Sequence, residues 1–229
     1  MRTVHFRSLS IAAIAVLTFA GSVAAQENTS GLLNTLEVQQ LVKRAEPGDN
    51  ARLAAHFTAL AERYVAEATR HTSMAQSFVG NPNRTLGTGM SAHCKQLADL
   101  NTKSATELRE LATYHQKLAS GAAATPPAGA ARFEGGAGAP APTKQELNAM
   151  AAKAGSPAEH HALEEYFLLL AKRYTAEATE HATTANIYRG TRIAQAAVYF
   201  DNLVRLSKDA AKEATEAAAM HKQLANVAR

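Results

Sequence analysis

Hydrophobic residues recur every three or four positions along four long stretches of this chain. In the first stretch, residues 47–79, this spacing places the apolar side chains on one face of a helix. They are Leu53, Phe57, Leu60, Ala61, Tyr64, Ala68, Ala75 and Phe78. A half-buried strand would instead alternate apolar and polar residues. The pattern therefore predicts an all-α protein.

Three further long helices follow from the same spacing. The second is predicted over residues 90–119, after a loop rich in turn-forming residues. The third has the clearest start signal in the chain. Ser156 is its predicted N-cap, Pro157 occupies the first helical position and Glu159 completes a capping box. This helix is predicted to reach Tyr188, and a fourth helix follows the next turn and runs to the C-terminus.

The chain contains an internal duplication. Residues 54–71 align without a gap with residues 164–181, and ten of the eighteen positions are identical. A second block pairs residues of the second and fourth helices at an offset of 106. These pairs include Leu97/Leu203, Glu107/Glu213, Glu110/Glu216 and His115/His221. Short amphipathic segments, residues 32–42 and 146–153, precede the two copies and are expected to cap one end of the fold.

Each copy of the repeat is a pair of antiparallel helices that cannot bury its apolar face alone. Packing the two hairpins together predicts a four-helix up-down-up-down bundle. Alanine recurs every seven residues on all four helices, which is the period of a left-handed supercoil. The positions are Ala54, Ala61, Ala68, Ala75, Ala98, Ala105, Ala112, Ala119, Ala171, Ala178, Ala185, Ala211, Ala218 and Ala225. Because alanine lets neighbouring helices approach closely, we predict alanine-heptad packing.

Composition divides the chain into four parts. Residues 1–25 have a basic start, an apolar stretch and small residues before Gln26, which is typical of a cleaved secretory signal. The first hairpin repeat occupies residues 26–120 and the second occupies residues 143–229. Residues 121–142, between them, are rich in proline, glycine and alanine and are interpreted as a flexible linker. Both repeats are expected to form one bundle.

The predicted signal makes the mature protein periplasmic or secreted. Its only cysteine, Cys94, cannot form an internal disulfide. The chain has 24 basic and 20 acidic residues, and loss of Arg2 and Arg7 with the signal leaves a net charge of +2. Since basic residues are interspersed with glutamates, we expect no nucleic-acid partner and no stable membrane insertion after signal cleavage. A homo-oligomer and a protein partner both stay open.

Histidines project from the middle of the predicted apolar faces, one on each long helix. This is unusual, because a buried imidazole needs hydrogen-bond partners. In an up-down-up-down bundle both hairpin turns lie at the same end, so the inward histidines fall into two layers. The first layer contains His71, His93, Cys94 and His181. The second polar layer contains His56, His115, His160 and His221.

The first layer suggests a metal site. Imidazole nitrogens and a thiolate suit copper or zinc. Glu67 and Glu177 precede His71 and His181 by four residues, and are therefore placed to orient those rings. Two histidines on facing helices would alternatively serve as axial ligands of a non-covalently bound haem.

The same histidines also fit a purely structural role. A histidine on an apolar face is more often a core residue that is bonded to a nearby carboxylate, such as Glu67. Cys94 is then a small buried hydrophobe. Arg63 and Glu67, like Arg173 and Glu177, have the spacing of helix-stabilising ion pairs. On this interpretation the protein is a cofactor-free structural or protein-interaction module whose histidines set the helix register.

Catalytic motifs do not match this sequence. Ferritin-like di-metal enzymes need Glu-x-x-His on two helices, whereas Glu67 and His71, like Glu177 and His181, are four residues apart. The sequence contains no nucleophile elbow, phosphate loop or zinc-protease motif. We therefore predict a non-catalytic exported bundle that binds a transition-metal ion or haem through inward histidines. The alternative is the cofactor-free module.

Overall fold

The computed structural model describes residues 32–81, 84–120 and 142–228, without the side chains of residues 84–88. The predicted signal peptide and all but the last residue of the predicted linker lie outside these residues. The described residues form helices and short connections, with no strand among them. None of the described helices has the length and apolar character needed to cross a membrane.

The described residues contain six α-helices. They are α1 (Thr35–Arg44), α2 (Pro47–Val79), α3 (Arg84–Leu118), α4 (Lys144–Lys153), α5 (Pro157–Arg189) and α6 (Ala197–Val227), and a 3-10 turn, Ala194–Ala196, precedes α6. The helix α3 begins at Arg84, earlier than the predicted start at residue 90, because residues 84–89, which were expected to be a loop, are helical. A Cβ at Gly89 would lie only 3.0 Å from the Met220 side chain, so this glycine allows α6 to approach closely.

Capping side chains define where several helices begin. The predicted box at the start of α5 is confirmed, because the Ser156 hydroxyl accepts from the Glu159 amide and the Glu159 carboxylate accepts from the Ser156 amide. Asn34 and Thr143 begin α1 and α4 with the same arrangement. All three boxes satisfy backbone amides that the first helical turn leaves unpaired.

The long helices pack side by side. The helix α2 packs against α3, α5 packs against α6, and α3 packs against α6. Side chains also connect α2 with α5. All of the heptad alanines listed in the sequence pattern are buried except Ala211, which is partly buried. The small residues therefore lie where the helices meet.

The two hairpins run in opposite directions, contrary to the predicted order. Tyr64 on α2 contacts His181 on α5. Glu67, one turn further along α2, contacts Arg173, which precedes His181 on α5. The helices α2 and α5 are therefore antiparallel. In chain order the four long helices run up, down, down, up, and not up-down-up-down.

Contacts between α3 and α5 agree with this correction. Asn101 contacts Tyr174, and His115 contacts Tyr188 further along both helices, so α3 and α5 are parallel. A short turn cannot join parallel neighbours of this length. The long segment between them, which includes α4, is able to return the chain to the other end of the molecule. The predicted order assumed that α5 begins at the end of the bundle where α3 ends, and this was wrong.

The short helices lie along the long helices and do not cap an end. Both α1 and α4 pack against the two long helices α2 and α5. The Thr35 hydroxyl of α1 donates to Glu180 at 3.0 Å. The Asn81 side chain donates to the carbonyls of Ala151 and Ala154 at the end of α4. Each short helix thus contacts a long helix of the other repeat.

The buried apolar residues form two clusters. One includes Leu53, Phe57, Tyr188 and Phe200. The other includes Met74, Phe78, Cys94 and Phe167. The register of the antiparallel helices places these clusters towards opposite ends of the molecule, which we call the Phe57 end and the Phe78 end.

Candidate functional site

Charged residues at equivalent repeat positions cross between α2 and α5. The Arg173 guanidinium donates to Glu67 at 3.0 Å, and the equivalent Arg63 lies 3.8 Å from Glu177. Arg70 also donates to Glu67 at 3.0 Å. Burial would raise the pKa of the Glu67 carboxyl, but the nearby Arg173 and Arg70 lower it overall. Burial outweighs the arginines at Glu177, so its pKa is raised. The two glutamates predicted to orient metal ligands therefore take part in ion pairs between helices.

His181 has a hydrogen-bond partner on the other hairpin. The Tyr64 hydroxyl donates to Glu177 at 3.0 Å and lies 3.2 Å from His181 Nε2. Since a hydroxyl has one proton, His181 Nε2 is assigned as the donor to the Tyr64 oxygen. His181 is 5% exposed. Its ring therefore contributes to contacts between α2 and α5.

The equivalent His71 is placed differently. Tyr174, which corresponds to Tyr64, accepts a hydrogen bond from Asn101 at 2.7 Å. His71 is fully buried, and neither of its ring nitrogens has a hydrogen-bond partner among the described residues. His71 and His181 thus occupy equivalent sequence positions with unequal surroundings.

His115 uses both ring nitrogens at the Phe57 end. Its Nδ1 lies 2.8 Å from Asn50 Oδ1, and its Nε2 lies 2.9 Å from the Tyr188 hydroxyl. The Asn50 amide nitrogen donates to the carbonyls of Ala45 and Glu46, so its Oδ1 is free to accept from His115. His115 therefore donates to Asn50 and accepts from Tyr188.

Two imidazoles meet at the Phe78 end. The Nδ1 atoms of His160 and His221 lie 3.2 Å apart, and both residues are buried. The Nε2 atoms of both rings have no hydrogen-bond partner in the described part of the chain. Phe167 stacks on His221 with ring centroids 5.6 Å apart. This pair lies where the first repeat has Asn50 and His115.

The predicted second layer is therefore divided between the two ends. His56, whose Nδ1 accepts from the Leu33 amide at 2.9 Å, lies at the Phe57 end with His115. His160 and His221 lie at the Phe78 end. The reason is the direction of α5, since reversing this helix moves its first residues from one end of the molecule to the other.

The predicted first layer is not brought together as a group of ligands. His181 contacts Tyr64, which lies two helical turns before His71 on α2. Cys94 is fully buried in the Phe78 end cluster, and burial followed by the charge of Glu213 raises the pKa of its thiol to about 12. Only His93 of the predicted set belongs to the ligand-like group that the structure assembles.

That group consists of His93 on α3 and Glu213 and Glu216 on α6. His93 Nδ1 lies 2.5 Å from Glu213 Oε1, and one ligand atom from each of the three residues lies within 4.8 Å of the others. The side chains of His93 and Glu213 are 17% and 19% exposed, so the group is open to solvent. No other trio of histidine, cysteine or acidic ligand atoms is this close within the described ranges. We call these three residues the His93 group.

Sequence reasoning missed the two glutamates of the His93 group. Glu213 and Glu216 are three residues apart and share a face of α6. They also occur at repeated positions, as the equivalents of Glu107 and Glu110. The spacing of Glu213 and Glu216 can be read from the sequence. Their nearness to His93 cannot, because it depends on the antiparallel packing of α3 and α6.

The buried imidazoles are neutral at neutral pH. Burial lowers the pKa of His56, His71 and His181 to about 4. Burial is also the largest effect on His115 and His221, and the pKa of each is lowered to about 3. Neutral rings keep one nitrogen as a donor and one as an acceptor, which matches the Asn50 and Tyr188 contacts of His115.

Two grooves lie on the surface of the described residues. One, of about 480 Å³, is lined by residues of α2 and α3 together with Lys144, and the other, of about 440 Å³, lies between α3 and the start of α6. No histidine lines either groove, so neither offers the pair of histidine ligands that the sequence suggested for haem.

In comparisons with known proteins, no protein-family model, no curated protein and no solved structure matches this chain.

Proposed function

We propose that this protein is an exported, non-catalytic helical bundle that binds a divalent transition-metal ion, zinc above all, at the His93 group. The supporting observation is the approach of one imidazole and two carboxylates across the contact between α3 and α6. Tetrahedral zinc with bonds near 2.1 Å needs ligand atoms about 3.4 Å apart. Ligand atoms that already lie within 4.8 Å can reach such positions by small side-chain rotations.

The donor atoms favour zinc over Cu(I). One nitrogen and two carboxylate oxygens suit Zn²⁺, whereas Cu(I) prefers thiolate and thioether sulfur. The neighbouring Cys94 does not supply a thiolate, because its buried thiol has a raised pKa. Three protein ligands leave a fourth position for water, so we expect an exchangeable ion.

Charge also favours a divalent cation. Two ionised carboxylates and a neutral imidazole would balance the charge of the ion. The ion has to replace the hydrogen bond between His93 and Glu213, and a protonated imidazole cannot bind metal. Zinc affinity is therefore expected to fall as the pH is lowered.

The test measures zinc binding to metal-free mature protein by calorimetry at neutral pH. We expect one zinc ion per chain, and binding about tenfold or more weaker in the His93→Ala and Glu213→Gln variants. His161→Ala is the matched control, because His161 forms a similar pair with Glu164 at 3.0 Å on the surface of α5 but is not part of a three-ligand group. Unchanged zinc binding in the His93→Ala, Glu213→Gln double variant would contradict the proposal.

The alternative function is a cofactor-free structural or interaction module. It is supported by His115 and His181, whose ring nitrogens bond to side chains of the other hairpin. Haem ligation by these residues would break those bonds, so we do not propose haem as the ligand. The alternative would be favoured if chelator treatment and added zinc both left the thermal unfolding temperature unchanged.

A further inference from the structure

Several buried polar atoms between α2 and α5 have unused hydrogen-bonding capacity. Within the described residues, no hydrogen-bond partner is present for Glu67 Oε2, both ring nitrogens of His71, the Tyr166 hydroxyl or Arg173 Nε, although Arg173 Nε lies 3.5 Å from Glu177 Oε1 in an ion pair. We call Glu67, His71, Tyr166 and Arg173 the Glu67 cluster. Buried polar atoms in folded proteins are nearly always paired with protein groups or ordered water, so a concentration of exceptions requires an explanation.

The members of the Glu67 cluster share the space between two helices. Glu67 and His71 lie one turn apart on α2, and Tyr166 and Arg173 lie two turns apart on the facing α5. Arg173 contacts Glu67 directly at 3.0 Å. Burial and then the charge of Glu67 raise the pKa of the Tyr166 hydroxyl, which places Tyr166 within electrostatic range of Glu67.

The unused groups are complementary in hydrogen-bonding capacity. Tyr166, Arg173 Nε and one nitrogen of His71 are donors, whereas Glu67 Oε2 and the other nitrogen of His71 are acceptors. They do not pair with one another in the structure. A small molecule that both donates and accepts would satisfy them together.

Charge excludes an ion at this position. Arg70 and Arg173 both bind the Glu67 carboxylate, and Arg173 also pairs with Glu177 at 3.5 Å, so two cations already face two anions. A further cation would be repelled by the guanidinium groups. An anion would face the unpaired oxygen of Glu67. A neutral molecule fits both constraints.

The other repeat provides the comparison. There the Tyr64 hydroxyl lies between His181 and Glu177 and satisfies both. Tyr174, the equivalent of Tyr64, accepts from Asn101 instead. The hydroxyl that pairs His181 therefore has no counterpart at His71.

We propose that the Glu67 cluster binds a small group of ordered water molecules, which hydrogen-bond to Glu67, His71, Tyr166 and Arg173. These waters take the place of the tyrosine hydroxyl that serves His181. Internal water of this kind typically makes about three hydrogen bonds to otherwise unpaired polar groups. The proposal is independent of metal binding at the His93 group.

The first test is the sign of a stability change. If water joins His71 to the cluster, His71→Leu leaves the other polar groups and the water unpaired, and we expect the folded-to-unfolded ratio to fall about tenfold or more in urea denaturation. If the site is dry, the same substitution removes an unpaired polar ring and raises that ratio, which would overturn the proposal. Met74→Leu is the control, since Met74 is a fully buried apolar residue one turn further along α2.

The second test does not depend on folding of the variant. A crystal structure of the mature protein at a resolution that shows ordered water should contain density within about 3.2 Å of a His71 nitrogen and of Glu67 Oε2. Direct pairing of His71 with a protein group, with no water in the cluster, would overturn the proposal.

Discussion

The two ends of the molecule place equivalent histidines in different surroundings. At the Phe57 end, His115 uses both ring nitrogens, donating to Asn50 and accepting from Tyr188. At the Phe78 end, His221 contacts the imidazole of His160, and its Nε2 has no partner among the described residues. The first histidine is fully paired, whereas the second is only partly paired.

Two differences between the repeats account for this contrast. Asn50 is replaced by His160 at the equivalent position, and Tyr188 corresponds to Phe78. The aromatic rings keep their places, since the centroids of His115 and Tyr188 and those of His221 and Phe78 are both 5.8 Å apart. The two copies of the core therefore keep similar ring positions but differ in their hydrogen-bonding groups.

Acid should have the largest effect, because both ends contain imidazoles that are neutral when folded. The folded-state pKa values of about 4 and about 3 lie below the ordinary value of 6.5, so the unfolded chain binds more protons as the pH falls through this window. Each such histidine lowers the free energy of unfolding by roughly 1.4 kcal/mol per pH unit below about pH 6.5, down to its folded pKa. For a domain of ordinary stability, we expect unfolding near about pH 5, measured by circular dichroism.

The His160→Asn variant sharpens this test. It gives His221 the kind of partner that His115 has and removes one buried imidazole whose pKa is lowered by burial. Stability should then depend on pH less steeply, by up to about 1.4 kcal/mol per pH unit. A protein that stays fully folded at about pH 4 would contradict the assignment of neutral buried rings.

Replacing the repeated histidine, His115 at the Phe57 end or His221 at the Phe78 end, should destabilise the protein to unequal extents. His115→Leu leaves the Asn50 and Tyr188 oxygens unpaired, and we expect a loss of about 2–4 kcal/mol in the free energy of unfolding. His221→Leu leaves only the His160 ring without its contact, so its loss should be about 1 kcal/mol or less beyond any change in packing. Urea denaturation above pH 7 measures both variants. Equal losses would show that the pairing of His115 contributes nothing.

Exchanging the aromatic residues should have the smallest effect. Tyr188→Phe removes the hydroxyl that donates to His115, and should cost about 1 kcal/mol. Phe78→Tyr places a hydroxyl at the corresponding distance from His221, and should stabilise the protein by about 0.5–1 kcal/mol. Thermal unfolding of the two single variants measures both changes. Destabilisation by Phe78→Tyr would indicate that the Phe78 end has no room for the oxygen.

Local features of the sequence predicted the helices well. Apolar spacing and the Ser156 capping box lie within single helices, and α2 and α5 begin at the predicted residues, Pro47 and Pro157. The direction of the second hairpin was not predictable in the same way. Parallel and antiparallel arrangements of α2 and α5 bury similar apolar faces, so the hydrophobic pattern does not distinguish them. The crossed contacts of Arg63 and Arg173 become visible only in three dimensions.

For the candidate site, too, local features were predictable and long-range contacts were not. The sequence predicted that His71, His115, His181 and His221 are buried, because helical phase is a local property. Their grouping into layers was wrong, because it depended on the direction of α5. His93 was a predicted ligand, but Glu213 and Glu216 were given no role, since their nearness to it arises from the packing of α3 against α6.

The exchange of short helices between the repeats has a consequence for how the protein holds together. Since α1 contacts α5 and α4 contacts α2, each copy packs its short helix against a long helix of the other copy, as the subunits of a twofold-symmetric dimer would. In separate chains, such an assembly would dissociate on dilution. Here both copies belong to one polypeptide, so the effective concentration of one for the other is set by the connecting segment and not by the amount of protein present. Covalent connection thus preserves the paired arrangement of the two copies even in very dilute solution.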